Sequence, residues 1–388
     1  MSPTPVTMSD PVAPTGYSWE ATSEQVAARY GVPVEEIVRF DLNTSPTPPD
    51  VAARVLAAGR FETSLSEYPP SDYRRLIDAA AARYGVAFEE LLVGAGADEI
   101  LDIVAKTFLP AGGAAVVPVP SYAMYRVLTE QRPARLLAVP RLGADSGHAI
   151  DVRRTRATAA EADLVWLCSP NNPTALPEPD GIIAALLAGL SVDAAAAGRP
   201  APVVVLDEAY AEFTGASLHP LRTDYPRLIV IRTMSKAYAL AGLRVGFALA
   251  ARPVIEAMQP YRPPGSVSTV SVTVATEVLE DDAIVPAAVA RVTAERDRLI
   301  AALAMIGWRP GPSRTNFVLV AFGSAQRAAE VAEGLLGRGL VPRTFPASHP
   351  LADHLRLTVR STVEDDRLIA AAAELEAGLE AGRTETPR

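Results

Sequence analysis

The feature that most constrains the fold is a series of short, continuously apolar runs with helix-like stretches between them. The runs are AAVVPVP (114–120), ADLVWLCSP (162–170), PVVVLDEAY (202–210), RLIVIRTMS (227–235) and RVGFALA (244–250). Strands of this kind are buried on both faces, because helices cover both sides of a parallel sheet. The sequence therefore predicts an α/β fold with a mostly parallel sheet flanked by helices.

A second, smaller α+β unit is predicted towards the C-terminus. A long helical stretch at about 286–306 is followed by NFVLVAF, a helix at 325–338, HLRLTVR and a last helix from about 363. The first residues are rich in Pro, Ser and Thr, which is typical of a flexible terminus. We predict a flexible N-terminal arm (1–18), a segment joining the small domain (19–50), a large domain (51–285) and a small C-terminal domain (286–388).

Composition excludes several classes of function. The net charge of −9 argues against a nucleic-acid partner, which requires a basic face. One cysteine and four histidines without ligand spacing predict neither an intrachain disulfide nor a metal site. No apolar run reaches the ~18 residues of a membrane helix, and the first residues lack the pattern of a signal peptide. We expect a cytoplasmic protein without membrane contact.

The basic residues single out one position. The chain has 36 of them, but only Lys106 and Lys236 are lysines, and the others are arginines. Arginine replaces lysine on a solvated surface, but its guanidinium does not lose its proton to form a carbon–nitrogen double bond. Lys236 is therefore a candidate for Schiff-base chemistry, unless biased composition left it there by chance. Lys106 is expected to be a solvated residue.

Polar residues follow the ends of the apolar runs. They are Ser121 and Tyr122, Asn171 and Asn172, Asp207 and Tyr210, and Thr233, Ser235 and Lys236. Each alone has an ordinary structural explanation as a helix cap, a turn or edge packing. Ligands bind beyond the carboxyl ends of parallel strands, where the following loops converge. Taken together, these side chains indicate one shared site.

The same segments resemble a known family. TMSKAYALAGLRVGF (233–247) is similar to the lysine segment of fold-type I, pyridoxal-phosphate-dependent aminotransferases of class I/II, and most similar to the histidinol-phosphate aminotransferase group. Asp207 lies 35 residues after Asn172, Lys236 lies 29 further on, and Arg244 follows in GLRVG. EYPPSDYRRL, GAGADEI and PSYAMY match further family segments in order. The resemblance extends from about residue 32 to 375 and implies a large domain that binds pyridoxal 5'-phosphate.

The resemblance implies roles for the strand-end residues. Lys236 would bind the cofactor as a Schiff base and move a proton between the substrate α-carbon and the cofactor. Asp207 would pair with the pyridine nitrogen. Tyr210 and Asn172 would hydrogen-bond the ring oxygen O3′, and Tyr122 would stack on the ring. Lys236, Asp207 and Tyr210 form the implied catalytic set.

The resemblance also implies a phosphate site, whose residues come from two segments of the chain. Arg244, Ser235 and Thr233 would bind the cofactor phosphate together with backbone N–H groups of Ala97 and Asp98 at a helix start. GAGADE superficially suggests a dinucleotide loop, but the third glycine is absent.

Three further residues are assigned by resemblance. Tyr68 in EYPP would reach the phosphate of the cofactor in a neighbouring subunit, which implies a homodimer. Arg356 in HLRLTVR would bind the carboxylate of an amino-acid substrate, and Asn43 would border the substrate.

The resemblance implies transfer of an amino group between an amino substrate and a 2-oxo acid such as 2-oxoglutarate. Histidinol phosphate is the first substrate expected; an aromatic or specialised amino acid is the alternative, as is a decarboxylase or lyase reaction on the same fold. Some positions depart from the family pattern: Ala175 and Arg360 replace usual glycines, Ala97 replaces a common serine, and LNTSPTP (42–48) replaces an Asn-Glu-Asn-Pro run. The departures at 42–48 and Arg360 leave the substrate open.

Overall fold

The structure is a computed structural model that describes residues 16–384. The arm predicted at residues 1–18 lies outside the described residues up to residue 15. The helices are α1 (Ser23–Tyr30), α2 (Asp50–Ala58), α3 (Arg74–Tyr84), α4 (Gly96–Phe108), α5 (Met124–Gln131), α6 (Val152–Thr158), α7 (Ile182–Ala196), α8 (Arg252–Met258), α9 (Thr269–Leu279), α10 (Ile284–Met305), α11 (Ala325–Leu336) and α12 (Thr362–Thr384). The strands are β1 (Val38–Arg39), β2 (Leu91–Gly94), β3 (Ala114–Val119), β4 (Arg135–Pro140), β5 (Leu164–Cys168), β6 (Val203–Asp207), β7 (Leu228–Thr233), β8 (Gly246–Leu249), β9 (Arg309–Pro310), β10 (Phe317–Ala321), β11 (Leu340–Val341) and β12 (His354–Thr358).

A seven-stranded sheet in the order β2-β8-β7-β6-β5-β3-β4 forms the centre of the molecule. The pairs from β7 through to β4 are parallel, and β8 is antiparallel to both β7 and β2. The apolar runs predicted as strands form β3, β5, β6, β7 and β8. The α/β class with a mostly parallel sheet is therefore confirmed.

Both faces of this sheet are buried, which explains why its strands are continuously apolar. Alternate side chains of β5 enter two different clusters: Val165 and Leu167 pack on one face, and Leu164 and Trp166 on the other. This alternation is the period of two that an extended strand imposes. The central strands β5, β6 and β7 are buried at every position.

A smaller set of strands comes from the chain after α10. β9, β10 and β12 form an antiparallel sheet, and the N-terminal β1 pairs in parallel with β11 through Val38 and Leu340. The segment before residue 50 thus packs with the C-terminal strands. The domain limits proposed from the sequence remain predictions. No helix within residues 16–384 is long and apolar enough to cross a membrane.

The link from β2 to α4 brings a helix start to the carboxyl edge of the sheet. Gly96 has a φ of +81°, a backbone conformation that L side chains disfavour. A Cβ added at Gly246 would lie 2.5 Å from the carbonyl carbon of Gly96. Only glycine at 246 therefore lets the start of β8 approach this helix start.

Candidate active site

A cavity of about 300 Å³ opens at the carboxyl edge of the central sheet. Every residue to which the resemblance gives a role lines it except Tyr68, whereas Ser121 and Asn171, which the strand-end pattern also placed at the shared site, do not line it. The residues that have such a role and line the cavity are Asn43, Ala97, Asp98, Tyr122, Asn172, Asp207, Tyr210, Thr233, Ser235, Lys236, Arg244 and Arg356. The strand-end loops do converge on one place, and β8 adds Arg244 because its antiparallel direction puts its beginning at this edge.

Lys236 follows the end of β7 and extends its amine into the cavity. Its Nζ lies 3.2 Å from the carbonyl oxygen of Asn43 and 5.7 Å from the centre of the Tyr210 ring. Burial, reinforced by the positive charge of Arg356, lowers the pKa of Lys236 to about 8. A sizeable fraction of the amine is therefore neutral near physiological pH, as a nucleophile requires.

Asp207 ends β6 and lies buried beneath the cavity. One carboxylate oxygen accepts a hydrogen bond from the hydroxyl of Tyr125 at 2.8 Å, and the other accepts from the backbone N–H of Ala209 at 3.0 Å. Burial raises the pKa of Asp207 to about 6, while the hydrogen bond from Tyr125 opposes this rise. The carboxylate is thus held in a fixed orientation and is mostly ionised at neutral pH.

Donors for an anion gather at one end of the cavity. The first turn of α4 presents the backbone N–H groups of Ala97 and Asp98, which a helix leaves without partners inside the helix. Arg244 donates to the Asp98 carboxylate at 3.1 Å. The Thr233 hydroxyl donates to the Ser235 hydroxyl at 3.0 Å. A helix N-terminus, two hydroxyls and a guanidinium are the chemistry that binds a phosphate group.

Tyr122 borders the cavity between this end and the sheet. Its hydroxyl donates to Asp98 Oδ1 at 3.0 Å. Its ring meets the ring of Tyr125 edge to face, with centroids 5.7 Å apart. Burial and the nearby negative charge of Asp98 raise the pKa of Tyr122, so its hydroxyl stays protonated.

Arg356 joins the β12 strand to the loop after β5. Its Nη1 donates to the side-chain oxygen of Asn172 at 2.6 Å, and its Nη2 donates to the carbonyl of Asp41. Burial lowers the pKa of Arg356. Arg356 therefore contacts Asn172 directly.

Asn43 is buried beside Tyr210 and Lys236. Its amide donates to the Tyr210 hydroxyl at 3.0 Å. Its φ of +53° is one that asparagine tolerates better than most residues. Thr358 and Asn316 fix the segment, because the Asn43 N–H donates to Thr358 Oγ1 and the Asn316 amide donates to the Asn43 carbonyl.

Sequence reasoning missed several residues at the site. Tyr17 and Trp19 line the cavity, with their rings edge to face at 4.7 Å. Arg343 also lines it, and its backbone pairs with that of Arg356. Tyr125 lies beneath it. Arg343 stands in no motif, whereas Tyr125 lies in PSYAMY, three residues after Tyr122, so that segment carried a usable signal.

The departures from the family pattern have structural counterparts. Ala175 has a φ of +66°, so this position needs the left-handed conformation that a glycine adopts freely. Ala97 stands in the first turn of α4 and contributes no side-chain donor there. Arg360 donates to the backbone and hydroxyl oxygens of Thr44, each at 3.3 Å, so two of the departing segments contact each other.

Tyr68 is not brought to this cavity. It is 88% exposed and lies against Gly265. Its predicted role involves a second subunit and stays a prediction. Within residues 16–384, no cluster of three or more His, Cys, Asp or Glu side chains could hold a metal ion.

Comparisons with known proteins agree with this geometry. The sequence profile of the family described as "Aminotransferase class I and II" matches residues 37–375. This chain belongs to that family. A histidinol-phosphate aminotransferase of Roseiflexus castenholzii is 34% identical, covering 91% of this chain and 93% of that protein. One of Symbiobacterium thermophilum is 33% identical, covering 88% and 93%.

A solved structure also matches this member of the family. The histidinol-phosphate aminotransferase from Sinorhizobium meliloti, in complex with pyridoxal-5'-phosphate, superposes with a TM-score of 0.82 at 26% identity. The match covers 94% of this chain and 96% of that one. The predicted family, fold-type I architecture and transaminase activity are confirmed.

Proposed function

We propose that this aminotransferase binds pyridoxal 5'-phosphate in the cavity and moves amino groups between histidinol phosphate, or a related amino compound, and a 2-oxo acid such as 2-oxoglutarate. The observation that carries the proposal is the position of the Lys236 amine. It shares one cavity with a buried carboxylate, Asp207, and with an anion-binding helix start at Ala97 and Asp98.

The residues present fit this cofactor at its phosphate end. A Cβ added at Gly96 would lie 2.5 Å from Nη2 of Arg244, so the guanidinium reaches the helix start only because residue 96 is glycine. Thr233, Ser235, Arg244 and the N–H groups of the first turn of α4 would hold the phosphate. Tyr68 of a second copy would complete this end in a homodimer.

The residues also fit the cofactor ring. Asp207 would pair with the ring nitrogen and keep it protonated, because its carboxylate is mostly ionised at neutral pH. Tyr122 would lie against the ring face, and Tyr210 and Asn172 would donate to the ring oxygen O3′. When bound, pyridoxal phosphate withdraws electrons from the bonds at the substrate α-carbon.

The protein's own groups then move protons. In its neutral form, Lys236 Nζ would take the proton from the substrate α-carbon and deliver it to the cofactor carbon C4′, or carry it in the reverse direction. Its pKa of about 8 suits both roles near neutral pH, since the amine gains and loses a proton at little cost. Tyr210 keeps its own proton, because burial raises its pKa.

Substrate recognition would come from the other side of the cavity. Arg356 is buried and positively charged, and would bind a carboxylate or phosphate of the substrate. Arg343 stands beside it. Tyr17, Trp19 and Tyr122 provide flat apolar surfaces that suit an imidazole or another aromatic side chain. These rings are why an aromatic amino acid is kept as the second candidate substrate.

The test is an absorbance titration of the purified protein loaded with pyridoxal phosphate. Histidinol phosphate, histidine, phenylalanine, tyrosine and glutamate are added singly, without a 2-oxo acid. Loss of the visible cofactor band on addition of histidinol phosphate supports the first candidate. Loss with phenylalanine or tyrosine alone supports the second. A Lys236→Arg protein serves as control, because it keeps the charge but forms no covalent bond to the cofactor.

The proposal includes the cellular setting and the domain plan. A cytoplasmic location is supported by the single cysteine, Cys168, which is buried and forms no disulfide. The predicted limits at residues 50/51 and 285/286 are kept, since the strands after α10 form sheets separate from the central one.

A further inference from the structure

Below the cavity, Tyr125 contacts Asp207, the carboxylate that would pair with the ring nitrogen of the cofactor under the proposed function. Tyr125 lies in the first turn of α5 and is fully buried. Its hydroxyl donates to Asp207 Oδ2 at 2.8 Å, on the opposite oxygen from the bond made by the Ala209 N–H. Both carboxylate oxygens therefore have a donor from the protein, and the plane of the carboxylate is fixed.

Packing fixes the orientation of the Tyr125 ring in turn. The ring stacks on Trp166, with centroids 5.4 Å apart and planes only 9° from parallel. The Trp166 indole N–H donates to Thr129 Oγ1 at 3.1 Å, and that hydroxyl donates to the Tyr125 carbonyl at 2.6 Å. Contacts within the protein thus point the hydroxyl at Asp207, as pre-organised support for a functional group should.

The groups around Asp207 act on its ionisation together with the hydrogen bond from Tyr125. The titratable groups that face Asp207 come from α5, β5, α4, the loop after β6 and the loop after β7: Tyr125, Cys168, Asp98, Tyr210 and Lys236. Burial raises the pKa of Cys168 to about 12 and raises those of Tyr125 and Tyr210, so all three stay neutral. Asp98 disfavours the Asp207 carboxylate and Lys236 favours it.

We propose that Tyr125 is a positioning residue of this enzyme, whose hydroxyl keeps the Asp207 carboxylate ionised and oriented towards the cofactor's ring nitrogen. The inference rests on the proposed function, because it requires Asp207 to be the cofactor's partner. A purely structural tyrosine would fill space between Trp166 and Tyr122, and phenylalanine would replace it there without further effect.

The experiment measures the affinity of the cofactor-free protein for pyridoxal phosphate across the range from about pH 5 to about pH 8, which brackets the Asp207 pKa of about 6. Affinity falls as pH falls through that pKa, because a protonated Asp207 no longer pairs with a charged ring nitrogen. Protonation of Lys236, whose pKa is about 8, also lowers the affinity, but it does so in the wild type and in the variant alike, so the difference between the two profiles reports Asp207. In Tyr125→Phe the lost hydrogen bond no longer stabilises the carboxylate. The midpoint of the fall should move to higher pH by about one unit, the shift expected from one hydrogen bond to a charged group.

A matched control is Tyr84→Phe. Among the described residues, the buried Tyr84 hydroxyl has no hydrogen-bond partner, so its removal takes a hydroxyl from the same fold without touching Asp207. Its midpoint should equal that of the wild type. Tyr125→Phe added to Asp207→Asn should also leave the pH profile of Asp207→Asn unchanged, since no carboxylate remains to be stabilised.

The outcomes separate the inference from the proposed function. If the wild-type protein binds pyridoxal phosphate but Tyr125→Phe shifts the midpoint no more than Tyr84→Phe does, the inference is wrong and the proposed function stands. If the wild type does not bind pyridoxal phosphate at all, both are wrong. If Tyr125→Phe does not fold, Thr129→Val tests the same arrangement. It removes the Thr129 hydroxyl that links Trp166 to the Tyr125 carbonyl, and it keeps the Tyr125 hydroxyl. It should give a smaller shift to higher pH, and an unchanged midpoint would overturn the inference.

Discussion

At the scale of single residues, the site contains two groups whose pKa values are shifted towards neutral pH. The pKa of Lys236 falls to about 8 and that of Asp207 rises to about 6, in both cases mainly because burial disfavours the charged form. Each group therefore changes charge within reach of physiological pH. The shift at Lys236 makes part of its amine neutral and nucleophilic, and the raised pKa of Asp207 still leaves its carboxylate mostly ionised at neutral pH.

The Lys236 shift predicts how fast the cofactor attaches at different pH values. Only the neutral amine attacks the cofactor aldehyde, so the attachment rate should rise about tenfold per pH unit below the pKa and level off above about pH 8. Arg356→Met removes a positive charge that lowers this pKa. The midpoint should then move to higher pH by about one unit. Stopped-flow absorbance after mixing cofactor-free protein with pyridoxal phosphate measures both profiles.

The control for Arg356→Met is Arg29→Met, which removes an arginine from an exposed ion pair with Glu333. It should leave the midpoint where it is in the wild type. An identical profile for Arg356→Met and the wild type would contradict the idea that Arg356 acts on the lysine. A rate that still rises about tenfold per pH unit up to about pH 10 would contradict the lowered pKa itself, because an unshifted lysine stays mostly charged over that range.

At the scale of helices and strands, the link between β2 and α4 shapes the end of the cavity where we propose that the cofactor phosphate binds. Gly96 combines a φ of +81° with a close approach of Arg244. Gly96→Ala should displace the guanidinium and weaken binding of pyridoxal phosphate roughly tenfold or more, the loss expected from a charge-assisted hydrogen bond. Equilibrium titration of the cofactor-free variant measures this loss.

Gly59→Ala separates backbone strain from the contact with Arg244. Gly59 ends α2 with a φ of +60°, but a Cβ there meets nothing within 4 Å. Both variants should lose some stability in thermal unfolding, because both place an L side chain in the left-handed region. Only Gly96→Ala should lose cofactor affinity; equal affinities in the two variants would show that Arg244 tolerates the extra methyl group.

Some strands of the fold can be predicted from the sequence, but the contacts between distant segments cannot. Strands with every side chain buried stand out in the sequence as apolar runs. One of them, β6, places Asp207 at the carboxyl edge of the sheet, as predicted. β4 does not stand out in this way because most of its positions are partly or fully exposed. The contact between Tyr125 and Asp207 spans 82 residues, and that between Arg356 and Asn172 spans 184. No local pattern in the sequence encodes such pairings, because they depend on how distant segments of the chain pack together.

At the scale of the whole molecule, the cavity draws on both ends of the chain. Tyr17 and Trp19 line it from the N-terminal side, and Arg343 and Arg356 from the C-terminal side. Arg343 donates to the Ser18 carbonyl at 2.8 Å, and Glu20 accepts from the Thr344 N–H at 2.8 Å. Hydrogen bonds therefore attach the N-terminal segment to the part of the chain that carries Arg343 and Arg356.

The remaining prediction concerns two copies of the chain. Tyr68 is 88% exposed and nearby Leu65 is 69% exposed, although both are large and apolar. If Tyr68 completes the partner's phosphate site, Tyr68→Ala should weaken cofactor affinity by roughly tenfold, as loss of a hydrogen bond to a charged group does. Leu65→Ala, in the same segment, should leave that affinity unchanged. Isothermal titration of each cofactor-free protein measures the difference.

Mixed dimers test whether Tyr68 acts between subunits. In a dimer of one Tyr68→Ala chain and one Lys236→Ala chain, one site carries both changes and the other carries neither, provided that each site takes Lys236 from one chain and Tyr68 from the other. The co-expressed, doubly tagged dimer should therefore have one site of wild-type affinity, although the two parent dimers have none. If Tyr68 acted within its own chain, each site would carry one change and no site would recover. Weak binding at both sites would thus reject the shared site, and a monomer at micromolar concentration would reject the dimer itself.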